Sequence, residues 1–241
     1  RKKRFIKAVT VITTDKVYIN SNTKISFKEN FSLGGDDLYS SSKASADILS
    51  LSYIKSFFKK SNCNVATVRA GNCIGGGDWT KYRILTDSVT SFLENKQLVV
   101  RNPNYKRPWQ HVLEPLAGYI ILAQKLYSIS GSNYVGAWNF GPSTKSHLTV
   151  YQFVKFLRKK MNLLSKIKLL HLKDIREKKS LYLNSKKANS KLKWRSLLNI
   201  SETLNLTADW YLANYMKKNM LDYSAAQIRK YMQLINRKDF K

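Results

Sequence analysis

The sequence predicts an α/β fold in which a parallel sheet carries a small α+β lobe. The apolar, β-branched run at residues 8–13 ends in Thr14-Asp15-Lys16, as buried parallel strands commonly do. A second such run, residues 64–70, comes after a helix-like segment, so that strands and helices alternate. Beyond residue 142 helical and short strand-like segments are mixed, which is typical of a separate lobe.

The first elements of the sheet follow from hydrophobic spacing. Residues 7–14 are predicted as a buried strand, and the polar, Gly- and Asp-rich residues 20–38 as a loop. Residues 39–60 are predicted as a helix because apolar residues recur at the helical period, at Ala44, Ile48, Leu51 and Phe58. Residues 64–70 then form a second core strand.

A glycine-rich loop follows this second strand. Residues 71–79 read Gly-Asn-Cys-Ile-Gly-Gly-Gly-Asp-Trp. In open α/β sheets ligands bind beyond the carboxyl ends of the strands, so this loop is a predicted binding region.

The remaining elements are predicted in the same way. Residues 107–112 are expected to run from a loop into a strand, and Glu114-Pro115 is a suitable helix start. Helices are predicted at residues 82–95, 114–128, 149–162, 201–217 and 222–236, and short strands at 97–101, 167–171 and 180–183.

The composition bounds the class of protein. The 241 residues carry 43 Lys and Arg against 15 Asp and Glu, a formal net charge of +28. Because the basic residues are scattered along the chain, nucleic acid is an unlikely main partner, while an anionic ligand of the nucleotide type is compatible. No apolar run reaches about 18 residues, so no membrane partner is predicted. The isolated Cys63 and Cys73 predict reduced thiols in a cytoplasmic protein and no metal site.

The pair Tyr39 and Lys43 is the first candidate for chemistry. Side chains at i and i+4 project from the same face of a helix, one turn apart. An ammonium held beside a phenol favours the phenolate, so Tyr39 can act as a base near neutral pH. A hydroxyl at the end of the preceding strand, such as that of Thr14, can bond to the same substrate oxygen. This arrangement suits oxidation of an alcohol by a nicotinamide cofactor.

Several longer motifs resemble the extended short-chain dehydrogenase/reductase family of nucleotide-sugar enzymes. Within it, the likeness is to the CDP-glucose 4,6-dehydratases, and it runs from about residue 8 to Trp210-Tyr211. The motifs are residues 14–18 (TDKVY), 33–36 (LGGD), 39–44 (YSSSKA), 69–72 (RAGN), 75–79 (GGGDW), 101–103 (RNP), 107–119 (RPWQHVLEPLAGY) and 138–142 (WNFGP).

The resemblance implies a Rossmann-type sheet that holds NAD tightly. It implies conversion of CDP-glucose to CDP-4-keto-6-deoxyglucose and water, for the synthesis of deoxysugars and surface polysaccharides. It divides the chain into an NAD-binding domain (1–75 and 113–141), a nucleotide-sugar-binding lobe (76–112 and 142–217) and a basic helical tail (218–241).

The resemblance also implies catalytic roles. Tyr39 would take the proton of the sugar's 4-hydroxyl, Lys43 would hold the nicotinamide ribose, and Thr14 would bond the 4-oxygen. Elimination of water then needs an acid, for which Asp15 is expected, and a base. dTDP-glucose relatives have Glu as that base at the position where this chain has Lys16, so Lys16 would have to act as a neutral amine.

Ligand contacts follow from the same likeness. The cofactor is expected to contact Tyr39, Lys43, Ala70 and Thr13. The nucleotide sugar is expected to contact a second set of residues, which consists of Asn72, Arg83, Arg101, Arg107, Trp79 and His111. The arginines can pair with phosphate oxygens, and a structural position is the more natural assignment for His111.

The family's amino-terminal part, with its first strand and Gly-rich phosphate turn, does not occur in this sequence. The sheet is therefore expected to be incomplete, and the chain alone to bind NAD poorly. Three alternatives stay open at this point: another nucleotide-sugar epimerase or dehydratase of the same family, an inactive fragment with a binding or structural role, and a basic nucleic-acid binder. A homodimer is expected to form through helix 39–60.

Overall fold

The computed structural model describes residues 5–20, 25–59, 61–143, 147–161, 165–171 and 181–238. Residues 60, 162, 180 and 239–241, at the ends of predicted segments, lie outside the described residues. The described chain forms two compact units. The first comprises the described residues from 5 to 71, together with 114–142 and 181–196. The second comprises 72–113, the described residues from 143 to 171, and 197–238.

A three-stranded parallel sheet is the base of the first unit. Its order is β1 (Ala8–Ile12), β3 (Asn64–Arg69) and β8 (Gly136–Asn139). Ala8 lies opposite Asn64, and Ala66 lies opposite Gly136. β3 is buried along most of its length because it is the central strand, which explains its continuous apolar run.

β1 differs from its prediction as a buried strand. Its residues are half-buried up to Val11, and Ile12 is 57% exposed. Within the described residues β1 pairs only with β3, and no described element covers the face onto which Ile12 projects.

The helices of the first unit are α1 (Leu38–Tyr53), α3 (Leu113–Tyr127) and α5 (Lys186–Leu192). α1 continues into a π-helical turn at Ile54–Phe58, where the prediction had one helix through residue 60. α3 approaches the end of β8 closely, since a Cβ on Gly118 would lie 2.4 Å from the ring of Phe140. Short 3-10 turns occur at Asp15–Val17 and Gly131–Tyr134.

A short parallel pair completes the first unit. β2 (Ser26–Phe27) pairs with β11 (Tyr182–Leu183), although more than 150 residues separate them. Leu181 packs there in a buried cluster with Val17, Phe27 and Ala44. Residues 181–196 therefore belong to the first unit, whereas the sequence prediction assigned them to the lobe.

The second unit has short strands and four helices around its own core. The strands are β4 (Cys73–Ile74), β5 (Leu98–Arg101), β6 (Lys106–Pro108), β7 (Gln110–His111), β9 (His147–Thr149) and β10 (Ile167–Leu170). The helices are α2 (Ile84–Leu93), α4 (Val150–Lys160), α6 (Ile200–Tyr215) and α7 (Met220–Lys238).

The core of the second unit lies between α2, α4, α6 and β5. Trp109 stacks on Phe153 there with ring centroids 4.1 Å apart, so Trp109 is a core residue. α7, within the predicted basic tail, packs on α6, and its Ser224 hydroxyl accepts a hydrogen bond from the Trp210 indole at 2.9 Å.

The α/β class with a parallel, Rossmann-like sheet is confirmed. A search of the described helices for a segment long and apolar enough to cross a bilayer finds none.

Candidate functional site

The turn that follows β1 carries three buried polar residues, Thr13, Thr14 and Asp15. The Thr14 hydroxyl donates to Asp15 Oδ1 at 3.0 Å and accepts from the Lys16 backbone N–H at 3.5 Å, so it caps the 3-10 turn. The Asp15 N–H donates to the carbonyl of Ala70 at 3.0 Å. The Asp15–Ala70 hydrogen bond links the turn after β1 to the end of β3.

Gly71 lies directly against the Asp15 carboxylate. A Cβ at position 71 would fall 1.8 Å from Asp15 Oδ2, a distance at which atoms overlap. No side chain fits there while Asp15 keeps its place, so the glycine at position 71 allows the Asp15 carboxylate to lie close to the backbone.

The start of α1 presents Tyr39 and Lys43. Asp37 caps the helix, accepting from the Ser40 N–H at 2.9 Å and from the Ser40 hydroxyl at 2.6 Å. These hydrogen bonds from Ser40 lower the pKa of Asp37, and the positive charge of Lys16 adds to the effect. Tyr39 is 51% exposed and Lys43 is half-buried.

Lys16 and Tyr39, which the sequence connected only through family likeness, are neighbours. The Lys16 ammonium lies 5.8 Å from the centre of the Tyr39 ring. A cation over a ring at this distance contributes about 0.5–1 kcal/mol at an exposed site. The strand-end turn therefore packs against the start of α1. The positive charge of Lys16 acts on the Asp37 carboxylate as well as on the Tyr39 ring.

Two of the predicted cofactor contacts have protein partners of their own. The Thr13 hydroxyl donates to Asp47 Oδ2 at 2.8 Å, and a second contact of 3.2 Å reaches the Val68 carbonyl. The Ala70 carbonyl accepts from Asp15. A cofactor contact through the Thr13 side chain stays a prediction, and the observed hydroxyl points to the Asp47 carboxylate.

The other six predicted residues belong to the second unit, and Asn72 and His111 lie on neighbouring short segments there. Asn72 has the left-handed backbone conformation (φ 49°), which asparagine tolerates well. Its carbonyl accepts from the Gln110 N–H at 3.2 Å, and β4 runs parallel to β7 beyond it. Asn72 is thereby held at the start of the β4–β7 pair.

His111 is a buried residue, 2% exposed. Burial lowers its pKa to about 4, so the imidazole is neutral near pH 7. Its Nδ1 accepts a long hydrogen bond of 3.4 Å from the Leu113 N–H, and its Nε2 has no hydrogen-bond partner within the described residues. His111 is therefore packed in the protein interior as a structural residue would be.

His111 is expected to make the protein sensitive to acid. Between pH 6.5 and about 4 the unfolded chain binds a proton at this histidine and the folded chain does not. Acidification through that window therefore lowers the free energy of unfolding, by up to about 3 kcal/mol for this group. Urea denaturation of His111→Gln between pH 7 and pH 4.5 is expected to show a weaker pH dependence than the parent protein.

The exposed His171 provides the matched control for this experiment. His171→Gln makes the same substitution at an exposed position and controls for the change from histidine to glutamine itself. Parallel curves for His111→Gln and the parent protein would contradict the effect assigned to burial.

Trp79 and Arg83 lie in and after the glycine-rich loop. Trp79 is 48% exposed and meets the Tyr211 ring edge-on at 5.1 Å. Arg83 forms an exposed ion pair with Asp78, with 3.2 Å between Nη1 and Oδ2. The Tyr211 hydroxyl donates to the Asp78 carbonyl at 2.7 Å, and burial raises the pKa of Tyr211 to about 12. Tyr211 is an anchor for this loop that sequence reasoning missed.

Arg101 and Arg107 differ in exposure. Arg101 is exposed at the end of β5. Arg107 is 9% exposed, donates to the Lys106 carbonyl at 3.0 Å and lies 5.4 Å from the Tyr105 ring. Within the described residues no group of three or more His, Cys, Asp or Glu side chains is placed to hold a metal ion.

The comparison with curated proteins decides the family. The chain is 40% identical to CDP-glucose 4,6-dehydratase of Salmonella typhimurium over an alignment of 241 residues that covers 96% of this chain and 66% of that protein. The chain belongs to the extended short-chain dehydrogenase/reductase family. The family likeness that the sequence predicted is therefore confirmed. No model in a scan of protein families matches the chain.

Two solved structures are similar to the chain in fold. dTDP-glucose 4,6-dehydratase of Bacillus anthracis in complex with NAD matches with a TM-score of 0.71 and 23% identity over 87% of this chain and 63% of its own. UDP-glucuronic acid 4-epimerase of Bacillus cereus, in complex with UDP-glucuronic acid and NAD, matches with a TM-score of 0.73 and 18% identity, over 88% and 64%. At these identities the likeness supports the fold.

Proposed function

We propose that the protein acts in a NAD-dependent nucleotide-sugar 4,6-dehydratase reaction that converts CDP-glucose to CDP-4-keto-6-deoxyglucose and water. The observation that carries this proposal is the 40% identity with the Salmonella typhimurium enzyme along nearly the whole chain. The proximity of the Lys16 ammonium to the Tyr39 ring also supports the proposal, because these two candidate catalytic side chains then lie side by side.

Tyr39 is the proposed base for the first step. Its hydroxyl and the Lys43 ammonium make no hydrogen bond within the described residues, so both are available to ligands. Tyr39 takes the proton of the 4-hydroxyl while the hydride leaves C4. Thr14 donates to the same oxygen in this scheme, which requires its hydroxyl to turn from Asp15 Oδ1.

Asp15 and Lys16 are the proposed acid and base of the elimination. The 4-ketone acidifies the C5 proton, which Lys16 removes, and Lys16 returns a proton to C5 when the hydride is added at C6. Asp15 donates a proton to the departing 6-hydroxyl, and water is lost. Asp15 is 4% exposed and rests against Gly71, so its carboxyl group is held in place at the strand end.

NAD bound here would supply the acceptor of the C4 hydride and would return the hydride to C6, so that the reaction would have no net redox change. The proposed contacts of the cofactor are Tyr39, Lys43, Ala70 and Thr13. Lys43 fits this role because its half-buried ammonium can donate to ribose hydroxyls. The backbone at Ala70 fits this role because the next residue, Gly71, has no side chain to project at this end of the strand.

The substrate's nucleotide half is assigned to the second unit. Arg107 and Arg101 are the proposed partners of the phosphate oxygens, and Asn72 and Arg83 add polar donors. Trp79 offers an exposed ring on which a base or sugar can stack, and His111 is the buried member of this predicted set. The excess of positive charge favours an anionic ligand of this kind.

The test is a substrate panel with the protein purified from the cells that make it. CDP-, UDP-, GDP- and dTDP-glucose are each incubated with NAD, and the 4-keto-6-deoxy product is identified by mass spectrometry. Conversion of CDP-glucose alone is expected, while conversion of another nucleotide sugar points to a different member of the family. A Lys16→Met protein that retains full turnover would remove the proposed base role.

A homodimer through helix 39–60 is also part of this proposal. α1 and its π-helical extension expose the apolar residues Ile48, Leu49, Tyr53 and Phe57, each by more than 40%. Exposed apolar stripes of this size mark protein interfaces. A sedimentation coefficient of a single chain at tens of micromolar would contradict the dimer, and Ile48→Glu is expected to dissociate it. A cytoplasmic location remains a prediction from the two isolated thiols.

A further inference from the structure

A buried ion pair lies beneath the candidate catalytic residues of the first unit. Asp47 and Arg69 are both completely buried. Arg69 Nε donates to Asp47 Oδ2 at 2.8 Å and Arg69 Nη2 donates to Asp47 Oδ1 at 2.7 Å, so the pair is bidentate. Two parallel charge-assisted bonds fix the relative direction of the two groups as well as their distance.

The Asp47 carboxylate is saturated by two further donors. Thr13 donates to Oδ2 at 2.8 Å and Thr67 donates to Oδ1 at 3.1 Å. Each carboxylate oxygen therefore accepts two hydrogen bonds. A buried charge with all its acceptors used is held in one orientation, because any movement leaves a donor without its partner.

The third guanidinium nitrogen of Arg69, Nη1, extends the network to another element. Arg69 Nη1 donates to the Tyr18 hydroxyl at 2.7 Å and to the Glu29 carbonyl at 3.1 Å. The Tyr18 hydroxyl in turn donates to Asn139 Oδ1 at 2.7 Å, at the end of β8. Burial raises the pKa of Tyr18 to about 12, so this hydroxyl keeps its proton.

The network touches every element that carries a candidate catalytic residue of the first unit. Asp47 lies on α1 one turn after Lys43 and two turns after Tyr39, so the three side chains project from the same face of the helix. Fixing the Asp47 side chain therefore fixes the rotation of α1 about its axis. Thr13 directly precedes Thr14 and Asp15. Arg69 directly precedes Ala70, whose carbonyl accepts from Asp15.

We propose that the Asp47–Arg69 pair is a positioning device that holds Tyr39 and Lys43 of α1 in register with Thr14, Asp15 and Lys16. Neither Asp47 nor Arg69 touches substrate, since both are fully buried. The pair fixes the rotation of α1 and its position along its own axis, and thereby the place of Tyr39 relative to the strand-end turn. Small displacements of reacting groups have large effects on rate.

The test compares Asp47→Asn with Val65→Ala. Val65 is a buried residue at the opposite end of β3, away from the network, so its truncation destabilises the same strand without touching the pair. Asp47→Asn is expected to lower kcat by about 100-fold while KM for CDP-glucose stays within about threefold. Val65→Ala is expected to lower the melting temperature and to keep kcat.

Amide hydrogen exchange gives a readout that does not depend on activity. In Asp47→Asn, peptides covering residues 13–18 and 38–47 are expected to exchange more than about tenfold faster, while exchange in α3 stays unchanged. Unchanged exchange in both peptides would overturn the proposal. The activity arm rests on the proposed function, so a parent protein that is inactive on CDP-glucose refutes that function while the exchange arm still decides the positioning role.

Two further variants separate positioning from plain stability. Replacing a buried ion pair by apolar residues often restores stability. The double variant Asp47→Leu with Arg69→Met is therefore expected to regain melting temperature relative to Asp47→Asn and to remain slow, and recovery of kcat together with stability would overturn the proposal. If Asp47→Asn does not fold, the nearly isosteric Thr67→Val removes one of the four bonds, and it is expected to accelerate exchange in 38–47.

Discussion

Tyr39→Phe is expected to reduce turnover of CDP-glucose by about 10²–10⁴-fold, because it removes the one hydroxyl proposed to take the substrate's 4-hydroxyl proton. The fold should be unaffected. Tyr39 is 51% exposed, and its hydroxyl makes no hydrogen bond within the described residues, so the melting temperature is expected to stay within about 1 °C of the parent.

The chain offers a matched control on the same helix. Tyr53 lies at the end of α1 and is 46% exposed, similar to Tyr39, so Tyr53→Phe makes the same chemical change away from the strand-end turn. Tyr53→Phe is expected to retain full turnover. A Tyr39→Phe protein that keeps more than a tenth of the parent's kcat would show that another group takes the proton.

Gly71→Ala is expected to impair both stability and turnover, because the new methyl group would occupy the place of the Asp15 carboxylate. Overpacking at a rigid position costs about 1–3 kcal/mol in the free energy of unfolding. The displaced carboxylate no longer faces the departing hydroxyl, and a misplacement of this size lowers kcat by about 100-fold.

A double-mutant cycle with Asp15→Ala identifies the mechanism. If Gly71→Ala acts through Asp15, the double variant loses no more turnover than Asp15→Ala alone. Gly71→Ala is also expected to lower the free energy of unfolding by less in the Asp15→Ala background, where removal of the carboxylate leaves space for the methyl group. Additive losses in both kcat and the free energy of unfolding would mean that Gly71 acts independently of Asp15.

Much of the fold was predictable because its main elements have regular spacing. The apolar period of residues 39–60 predicted α1, and β-branched runs predicted β1 and β3 with errors of one or two residues at their ends. The two-residue strands β2 and β4 were missed because they are too short to show a period, whereas β11, of the same length, lies within the strand predicted at residues 180–183. β2 depends on a partner more than 150 residues away.

The candidate site was predictable only in its parts. The Tyr39–Lys43 spacing and the polar strand end at Thr14-Asp15-Lys16 are local signals, and they were read from the sequence. The approach of Lys16 to Tyr39 was not, since it depends on how the turn packs on α1. Tyr211 lies within the predicted helix 201–217, and nothing near it in the sequence indicates that its hydroxyl donates to the Asp78 carbonyl.

The sequence by itself determined the α/β class, the family and the chemical types present at the strand ends. These properties depend on the order and spacing of residues, which are local. Only the tertiary structure decided which polar groups are buried together, with Asp47, Arg69 and Thr13 in one network and the Asp15 carboxylate against Gly71. The physical reason is that a buried charge must find its partners wherever the fold brings them, and no local propensity specifies a partner 22 residues away, as Arg69 is from Asp47.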